Sequence, residues 1–492
     1  MNGANQPERR LHPALSLLLP AGFAAGYVLL SFVATPTPLS GLVRPLLIAT
    51  GVSVVVAGGL ALILRNVQAG GLVASILVLA ISAPWVPALV LVTVGIWIVL
   101  VFALRRSLKR TSRARLPSLA TATRMVGTFS LLFAVVSGVS AIPSAAAGFG
   151  SGGVARRNPD GAAGPDIVIL LLDGYPRSDV LASSFGYDNA WFEAGLTRLG
   201  FEVLAESRSN YTATWATLAS MLNGRYLQEM PEILPFPTDQ AEQYVALMRA
   251  INESSLPGVA RDRGYEVAWV ESPFENASLT TADELHSGGQ MTSFELSLLR
   301  HSPLLPVLLA VAPDLLLAQQ RDRIEGTLAE LPDLVADDET STLAVAHVLS
   351  PHAPIVFAAD GSLADPPSCL PDCSLWAFVN EEQWDQFPGQ VDHLNEIVLD
   401  ALVETVAANS SAVVVVMSDH GHRPPGAPED DLLRSFTAVR FPGAADVADG
   451  DLSPVNLLPA IFNAYLSTNL PVSPYRAWIS EAEFPLTMTP SR

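Results

Sequence analysis

Hydrophobic residues are distributed differently in the first third of the chain and in the rest. Five apolar stretches approach the roughly 20 residues that a bilayer-spanning helix needs, at residues 14–33, 43–64, 67–83, 87–104 and 125–145. Beyond residue 165 the apolar runs are shorter and alternate with polar segments. The pattern predicts a transmembrane region of five helices within residues 1–146, a flexible Gly- and Ala-rich linker over residues 147–165 and a separate domain over residues 166–492.

Basic side chains fall in segments that five spans would place on one side of the membrane. They precede the first span, lie between the second and third, and lie between the fourth and fifth, where seven occur from Arg105 to Arg124. Cytoplasmic loops of multi-pass proteins hold the excess of Lys and Arg. Because the number of spans is odd, we expect a multi-pass protein of the cell membrane with an extracytoplasmic C-terminal domain.

Two continuous apolar runs in the C-terminal domain are typical of strands buried on both faces of a sheet. The first ends at Asp173, and the second, residues 412–417, is followed by Ser-Asp-His-Gly. We predict further strands and helices between them. The alternation of the two predicts an α/β sandwich with a mostly parallel central sheet. The further strands are expected at residues 201–205, 267–271, 343–349 and 436–441, and the helices at residues 189–199, 241–251, 322–334 and 392–408.

Charge separates the two parts of the chain even more sharply. Residues 1–165 hold 13 Lys and Arg against 2 Asp and Glu, and the whole chain holds 28 against 48, so the remaining residues hold 15 against 46. Such an acidic domain repels nucleic acid, so we exclude nucleic acid as a partner. The same acidity suits the binding of cations.

The two cysteines of the chain, Cys369 and Cys373, lie close together in a proline-containing segment. In an oxidising compartment they are expected to form a local disulfide. Half of a zinc site is the alternative interpretation, although the chain has no further cysteine to complete it.

Acidic residues follow the two apolar runs directly, with Asp173 after the first and Asp419-His420 after the second. Ligands of open α/β sheets bind at the carboxyl ends of the strands, and a buried strand has no structural need for an acid there. Capping of the loop by aspartate is the alternative. Two such ends, one with a histidine attached, favour a divalent metal site, with Zn²⁺ preferred and Mn²⁺ compatible.

A hydroxyl-rich turn that contains Thr212 and Thr214 leads into an apolar, helix-like run ending at Gly224. At a helix N-terminus, free N–H groups and the helix dipole attract phosphate and stabilise an alkoxide. The alternative is that one of these threonines only caps the helix.

The apolar segment of residues 303–317 is interrupted by prolines and is too short to span a bilayer. We expect a buried or packing helix there. Contact with the membrane surface is the alternative.

Three motifs together resemble the alkaline phosphatase and sulfatase superfamily: Leu172-Asp173-Gly174, Thr212-Ala213-Thr214 and Ser418-Asp419-His420-Gly421. The likeness covers nearly the whole C-terminal domain. A membrane region of five spans before an external domain is similar to the layout of lipoteichoic acid synthases and lipid A phosphoethanolamine transferases. Leu-Asp-Gly is closer to the phosphodiesterase branch than to the Gly-Glu-Ser of the transferases. The C/S-x-P-x-R motif of formylglycine sulfatases is absent from these segments.

The resemblance implies a role for each matching residue. Thr214 would be the nucleophile, and the metal would be held by Asp173, Thr214, Asp419 and His420. His347 and His352 resemble the paired histidines that precede the late Asp-His pair. His352 would bind phosphate or protonate the leaving group, and His347 would contact substrate or be a core histidine.

Three other polar residues near these motifs are candidate substrate contacts. For Asn210 the alternative is a local Asx turn, and for the other two it is simple exposure. The three candidates are Asn210, His422 and Arg423.

We therefore predict an enzyme, a metal-dependent transferase acting through a phosphothreonine intermediate. It would move a phosphoglycerol or phosphoethanolamine type of substituent from a phospholipid donor to an envelope glycan or lipid acceptor. A site tethered beside the bilayer meets lipid donors at high effective concentration. The alternatives are an extracytoplasmic phosphodiesterase or phosphatase of the same fold and a non-catalytic membrane scaffold.

Overall fold

The computed structural model describes most of the chain and divides it into two units. The first unit comprises Met1–Gly150 and Phe294–Val307, and the second comprises Ser151–Ser293 and Leu308–Arg492. The described residues are 13–34, 40–82, 123, 126–137, 139, 164–272, 274, 277–300, 302, 304–336, 340–365, 381–422, 428–481 and 483–491.

Apolar helices form the N-terminal part of the first unit. Within the described residues, two are long and apolar enough to cross a membrane, Ala14–Phe32 and Gly41–Ile63, and a bent helix pair further along the chain would be a third if it counted as one span. The predicted third and fifth spans correspond to shorter helices, and the predicted fourth lies outside the described residues. A count of five spans therefore stays a prediction. The helices here are α1 (Leu19–Ala34, preceded by a 3₁₀ turn at Pro13–Leu18), α2 (Ser40–Ile63), α3 (Val67–Ser82) and α4 (Val126–Ser137).

Small residues allow these helices to approach closely. A methyl group on Gly22 would collide with Ser130, and one on Gly71 would collide with the backbone of Ser16. The Ser130 hydroxyl also donates to the carbonyl of Leu19, at 2.6 Å. Close approach of backbones and hydrogen bonds between helices replace the hydrophobic effect as the source of packing energy in a bilayer.

A seven-stranded sheet forms the centre of the second unit, in the order β2-β7-β6-β1-β5-β3-β4. The five strands from β6 to β4 are parallel, whereas β7 runs antiparallel to β6 and β2 antiparallel to β7. This confirms the predicted, mostly parallel central sheet. The strands are β1 (Ile167–Leu172), β2 (Glu202–Val203), β3 (Glu266–Val270), β4 (Glu284–His286), β5 (Thr342–Val348), β6 (Val413–Met417) and β7 (Thr437–Arg440), and a separate hairpin is made by β8 (Trp478–Glu481) and β9 (Phe484–Pro490).

Alternate residues of the central strand β1 face two different hydrophobic clusters. Ile167, Ile169 and Leu171 belong to one cluster and the residues between them to the other. All six β1 side chains are buried. Helices therefore cover both faces of the sheet, which explains why β1 and β6 are continuous apolar runs in the sequence.

The helices of the second unit follow the predicted alternation with strands, although their limits differ in places. The long helix before β5 begins eight residues before the predicted limit at residue 322, at Asp314. The helices that begin after β1 are α5 (Ser178–Phe185), α6 (Ala190–Arg198), α7 (Thr214–Asn223), α8 (Gln240–Asn252), α9 (Leu256–Asp262), α10 (Ser293–Arg300), α11 (Leu304–Val311), α12 (Asp314–Glu330), α13 (Glu381–Ala408) and α14 (Pro454–Tyr465), with 3₁₀ turns at Leu227–Glu229, Asp333–Val335, Glu429–Leu432 and Ala445–Asp449.

Candidate active site

The carboxyl ends of β1 and β6 bring three predicted ligands together. The two strands are neighbours in register, with Leu171 beside Met417, so the residues that follow them emerge side by side. Asp173, Asp419 and His420 are all buried, and one ligand atom from each lies within 4.8 Å of the other two. Residues separated by more than 240 positions in the sequence thus form one cluster.

The hydrogen bonds of the two carboxylates leave one oxygen of each available. Asp419 Oδ1 accepts the N–H of Gly174 at 3.0 Å, and Asp173 Oδ2 accepts from His347 at 2.9 Å. Within the part of the chain that the structure describes, Asp173 Oδ1 and Asp419 Oδ2 are buried and have no hydrogen-bond partner. Because buried charged oxygens are costly without a partner, the pair fits a divalent cation.

The third ligand has a defined orientation. His420 Nδ1 donates to the carbonyl of Gly421 at 2.8 Å, which leaves a lone pair on Nε2. That nitrogen lies 3.8 Å from Asp173 Oδ1 and 3.5 Å from Asp419 Oδ2, the two oxygens without a protein partner. A backbone carbonyl that fixes the histidine tautomer is a usual feature of metal sites. Two carboxylates and an imidazole are an oxygen and nitrogen set that Zn²⁺ and Mn²⁺ both accept.

Thr214 is the residue that brings a hydroxyl to this cluster. It is the first residue of α7 and is only 3% exposed, and its Oγ1 lies 3.4 Å from Asp173 Oδ2. The N-cap residue of α7 is Ala213, which makes no side-chain cap. Thr212 Oγ1 instead accepts the N–H of Ser480, in β8, at 2.9 Å. The two threonines are therefore distinct, and only Thr214 faces the cluster.

The two predicted histidines occupy different places around Asp173. His347, on β5, is 1% exposed and donates from Nε2 to Asp173 Oδ2, so it orients that carboxylate. His352 is 3% exposed and donates from Nδ1 to the carbonyl of Ala353. Its ring centre lies 6.3 Å from that of His420. His352 is thus close enough to the cluster to contact a group held there.

Phe274 and Gly174 shape the walls of the site, and neither was predicted to contribute. The ring of Phe274 lies 5.4 Å from His352 and 6.3 Å from His347, centre to centre. Gly174 has φ +68°, and a methyl group there would lie 3.6 Å from both His352 and His420. This conformation favours glycine, which gives the Gly of the Leu-Asp-Gly motif a physical reason.

Two hydroxyls support the loops that carry the ligands. Ser418 Oγ accepts the N–H of Tyr175 at 2.8 Å and donates to the carbonyl of His420 at 2.6 Å, so it ties the ends of β1 and β6 together. Thr217, one turn after Thr214 on α7, donates to the carbonyl of Asp419 at 3.0 Å. The role of Ser418 could have been predicted, because it stands in the Ser-Asp-His-Gly motif. The role of Thr217 could not, because its partner Asp419 lies far away in the sequence.

Burial and neighbouring charges shift the pKa values of Asp173, His420 and His352 in different directions. Burial raises the pKa of Asp173, but the charges of His352, His347 and His420 together lower that pKa below its usual value. Burial lowers the pKa of His420, but the charges of Asp419 and Asp173 raise it. The net result is a pKa above the usual value for histidine. Burial dominates for His352, whose pKa is lowered. A neutral His352 can accept a proton and a cationic one can donate it.

Two of the other predicted contact residues make contacts within the protein, and one lies outside the described residues, as do the two cysteines. Asn210 donates to the carbonyl of Arg476 at 3.0 Å and accepts the N–H of Val455 at 2.9 Å, so both ends of its amide are used by the protein. His422 is 1% exposed and stacks on Trp384 and Phe387, with ring centres 4.8 Å apart in both cases. A role of these two residues in substrate binding stays a prediction. Arg423, Cys369 and Cys373 lie outside the described residues.

No protein-family model matches the sequence, and no curated protein matches it significantly. Among solved structures, the C-terminal periplasmic domain of EcEptC from Escherichia coli in complex with zinc is 13% identical, with a TM-score of 0.43, and the match covers 68% of this chain and 94% of that one. The integral membrane protein lipooligosaccharide phosphoethanolamine transferase A from Neisseria meningitidis is 12% identical, with a TM-score of 0.39, and the match covers 92% and 95%.

A 2-O glycosaminoglycan sulfatase, BT1596, is also similar, with 12% identity, a TM-score of 0.38 and coverage of 63% of this chain and 72% of that one. Phosphoethanolamine transferases and a sulfatase are thus among the structures similar to this chain.

Proposed function

We propose that this protein is a membrane-anchored, metal-dependent phosphotransferase. It would transfer a phospho-substituent from a phospholipid to an envelope glycan or lipid through a phosphothreonine at Thr214. The observation that carries the proposal is the convergence of Asp173, Asp419 and His420 around two unpartnered carboxylate oxygens, with the Thr214 hydroxyl 3.4 Å from Asp173. We further propose residues 166–492 as the catalytic domain, on the extracytoplasmic side of the membrane.

The three ligands and the Thr214 oxygen would hold the cation. A bound divalent cation supplies Lewis acidity, which lowers the pKa of a coordinated hydroxyl and neutralises charge on phosphate oxygens. Thr214 needs such activation, because an alcohol is a weak nucleophile at neutral pH. Its position at the first turn of α7 adds the favourable end of a helix dipole for an anionic phosphate.

In the first half of the reaction, Thr214 releases its hydroxyl proton to solvent, and its Oγ1 attacks the phosphorus of the phosphodiester. The Oγ–P bond forms, the bond from phosphorus to the diacylglycerol oxygen breaks, and His352 donates a proton to that leaving oxygen. In the second half, an acceptor hydroxyl gives its proton to His352 and attacks the phosphorus of the phosphothreonine. The Oγ–P bond breaks, and Thr214 Oγ1 takes up a proton from solvent. His347 keeps Asp173 oriented in both halves.

The membrane anchor favours a lipid donor over a soluble one, because tethering raises the effective concentration of lipid headgroups at the site. The same residues could hydrolyse a phosphodiester if water replaced the acceptor. A phosphodiesterase or phosphatase is therefore the second candidate. A non-catalytic scaffold is disfavoured, since it would have no need for buried carboxylate oxygens without partners.

The test uses the full chain in liposomes that contain phospholipid labelled in the headgroup. We expect a labelled, covalently modified peptide that contains Thr214, detected by mass spectrometry. Thr214→Ala should abolish it and reduce turnover by at least about 10³-fold, and Thr214→Ser should restore part of it. Thr212→Ala is the matched control, since its hydroxyl is occupied by Ser480, and should keep the modification.

Product analysis separates the candidates. Label on an added glycan or lipid acceptor supports the transferase, and release of free headgroup phosphate without acceptor labelling supports the hydrolase. If the wild-type protein binds no divalent metal and turns over no phosphodiester, both enzyme proposals fail.

A further inference from the structure

A pair of helices that follows β4 in the sequence belongs partly to the membrane unit. Phe294–Val307, which covers most of α10 and half of α11, groups with the N-terminal helices. The chain therefore contributes a segment to the membrane unit long after its N-terminal apolar stretches have ended. For this region the sequence predicted a buried or packing helix, with contact with the membrane surface as the alternative.

The contacts of α10 with α1 and α2 include an aromatic side chain and an ion pair. Phe294 is 3% exposed and packs with three residues near the end of α1 and the start of α2, its ring meeting that of Phe32 edge to face at 6.0 Å. Glu295 is 8% exposed, and its two carboxylate oxygens accept from Nε and Nη2 of Arg44. The other two residues packed around Phe294 are Val28 and Leu42.

These contacts all lie at the same end of the membrane helices. Phe32 is close to the last residue of α1, and Leu42 and Arg44 are in the first turns of α2. Arginine at such a position keeps its charge in the interfacial region rather than in the hydrocarbon core. α10 is therefore fixed at this end of α1 and α2, and α11 follows it in the chain.

α11 has the composition of a lipid-facing helix and is too short to span a bilayer. No charged side chain occurs from Ser302 to Pro313, and α11 bends away from α10 by 87°. Its eight residues extend only about 12 Å, against about 30 Å of hydrocarbon. Val307 and Val311, which are one turn apart on the same side of the helix, are 58% and 74% exposed.

We propose that α11 lies in the membrane interface, with Val307 and Val311 inserted among the lipid chains. The occupant of this face is the bilayer, because α2 presents a similar lipid-facing surface close to Arg44, where Val43 and Leu47 are 55% and 66% exposed. An apolar helix of this length gains stability by insertion to a depth of about 5–10 Å. The inference is independent of the chemistry at Thr214.

The test places a fluorophore on single cysteines in the full chain, reconstituted in phosphatidylcholine liposomes. Cys369 and Cys373 are first replaced by serine. The labelled variants are Val307→Cys and Val311→Cys, with Val55→Cys on α2 as the lipid-exposed reference, since it is also 74% exposed. Val245→Cys on α8, 57% exposed, is the matched control in the second unit.

Quenching by a nitroxide near the top of the lipid chains and by aqueous iodide gives the readout. For Val307 and Val311 we expect lipid quenching similar to Val55 and at least about three-fold stronger than at Val245, with iodide quenching correspondingly weaker, because a helix at this depth is removed from water. Iodide quenching as strong as at Val245 would overturn the proposal. Weak quenching by both agents would also overturn it, because the face would then be covered by protein. If one of the two labelled variants does not fold, the other still provides the measurement.

Discussion

Buried acids follow β1, β6 and β3 at the carboxyl edge of the sheet, and they differ in what neutralises them. Glu271, directly after β3, is 8% exposed, and burial raises its pKa while Arg323 and hydrogen bonds from Ser293 oppose that increase. Arg323 itself is 1% exposed and donates to Ser293 Oγ at 3.1 Å. The protein therefore supplies the positive charge for Glu271 from its own side chains.

The cluster at Asp173 and Asp419 has no arginine or lysine in the same role among its described contacts. Each carboxylate keeps one buried oxygen without a hydrogen-bond partner in the described part of the chain. An acid at a strand end is thus not by itself a sign of metal binding. The acid after β3 differs from the Asp173 and Asp419 pair because the fold itself supplies its compensating positive charge, as an arginine side chain.

Removal of one ligand should produce the largest effect. Asp419→Asn is expected to weaken Zn²⁺ binding by more than about 100-fold, since even an outer partner of a ligand is worth about 10–100-fold. Isothermal titration with the full chain in detergent measures this. Glu271→Gln is the matched control and should bind Zn²⁺ as the wild type does; equal losses in both variants would remove the distinction between the two strand ends.

Metal binding should also increase the stability of the folded protein. Zn²⁺ at about 100 times its dissociation constant should raise the free energy of unfolding by about 2.7 kcal/mol in the wild type and in Glu271→Gln. Asp419→Asn should show almost none of this increase. Thermal denaturation with and without a chelator measures the difference, and an equal Zn²⁺ effect in all three proteins would place the metal elsewhere.

Loss of the hydrogen bond from His347 should have an intermediate effect on Zn²⁺ affinity. His347→Asn removes the hydrogen bond at 2.9 Å to Asp173, and we expect Zn²⁺ affinity to fall by about 10–100-fold with the metal still bound. Unchanged affinity would mean that His347 is only a core residue, which was its alternative interpretation from the sequence.

Glu271→Gln should affect stability without affecting the metal. The substitution keeps a polar group beside Ser293 but leaves Arg323 without its counter-charge, and it should cost about 1–3 kcal/mol. Chemical denaturation in the absence of metal gives the value. A cost close to zero would show that Arg323 is neutralised by other groups.

The smallest expected effect on stability concerns His286. This residue is on β4, the edge strand of the sheet, whereas the predicted ligands follow the central strands β1 and β6. Glu330 lies 3.1 Å from His286 Nδ1 and raises its pKa above the usual 6.5, against partial burial. Because the folded-state pKa is raised, the pair stabilises the protein fully below about pH 6.5 and ceases to do so as the pH rises through the folded-state value. His286→Asn should therefore lower stability by less than about 1 kcal/mol at pH 5.5 and have no effect at pH 9. A larger effect at pH 9 than at pH 5.5 would contradict this sign.

The sequence predicted the parts of the site that are local and not the parts that depend on distant contacts. β1 and β6 were predictable because strands buried on both faces are continuous apolar runs, and the acids that end them are adjacent in the chain. The choice between Thr212 and Thr214 by geometry was not predictable, since it depends on Ser480 in β8, a strand that the pattern did not reveal. Phe274 and the pairing of Arg44 with Glu295 likewise join segments whose proximity is set only by the fold.

The central claim is that one cation binds between the ends of β1 and β6, next to the Thr214 hydroxyl. A crystal structure of the Zn²⁺-loaded protein, with data collected on both sides of the zinc absorption edge, tests it most directly. We predict an anomalous peak about 2.0–2.2 Å from Asp173 Oδ1, Asp419 Oδ2 and His420 Nε2. A zinc-loaded protein with its only anomalous peaks away from these three atoms would contradict the account.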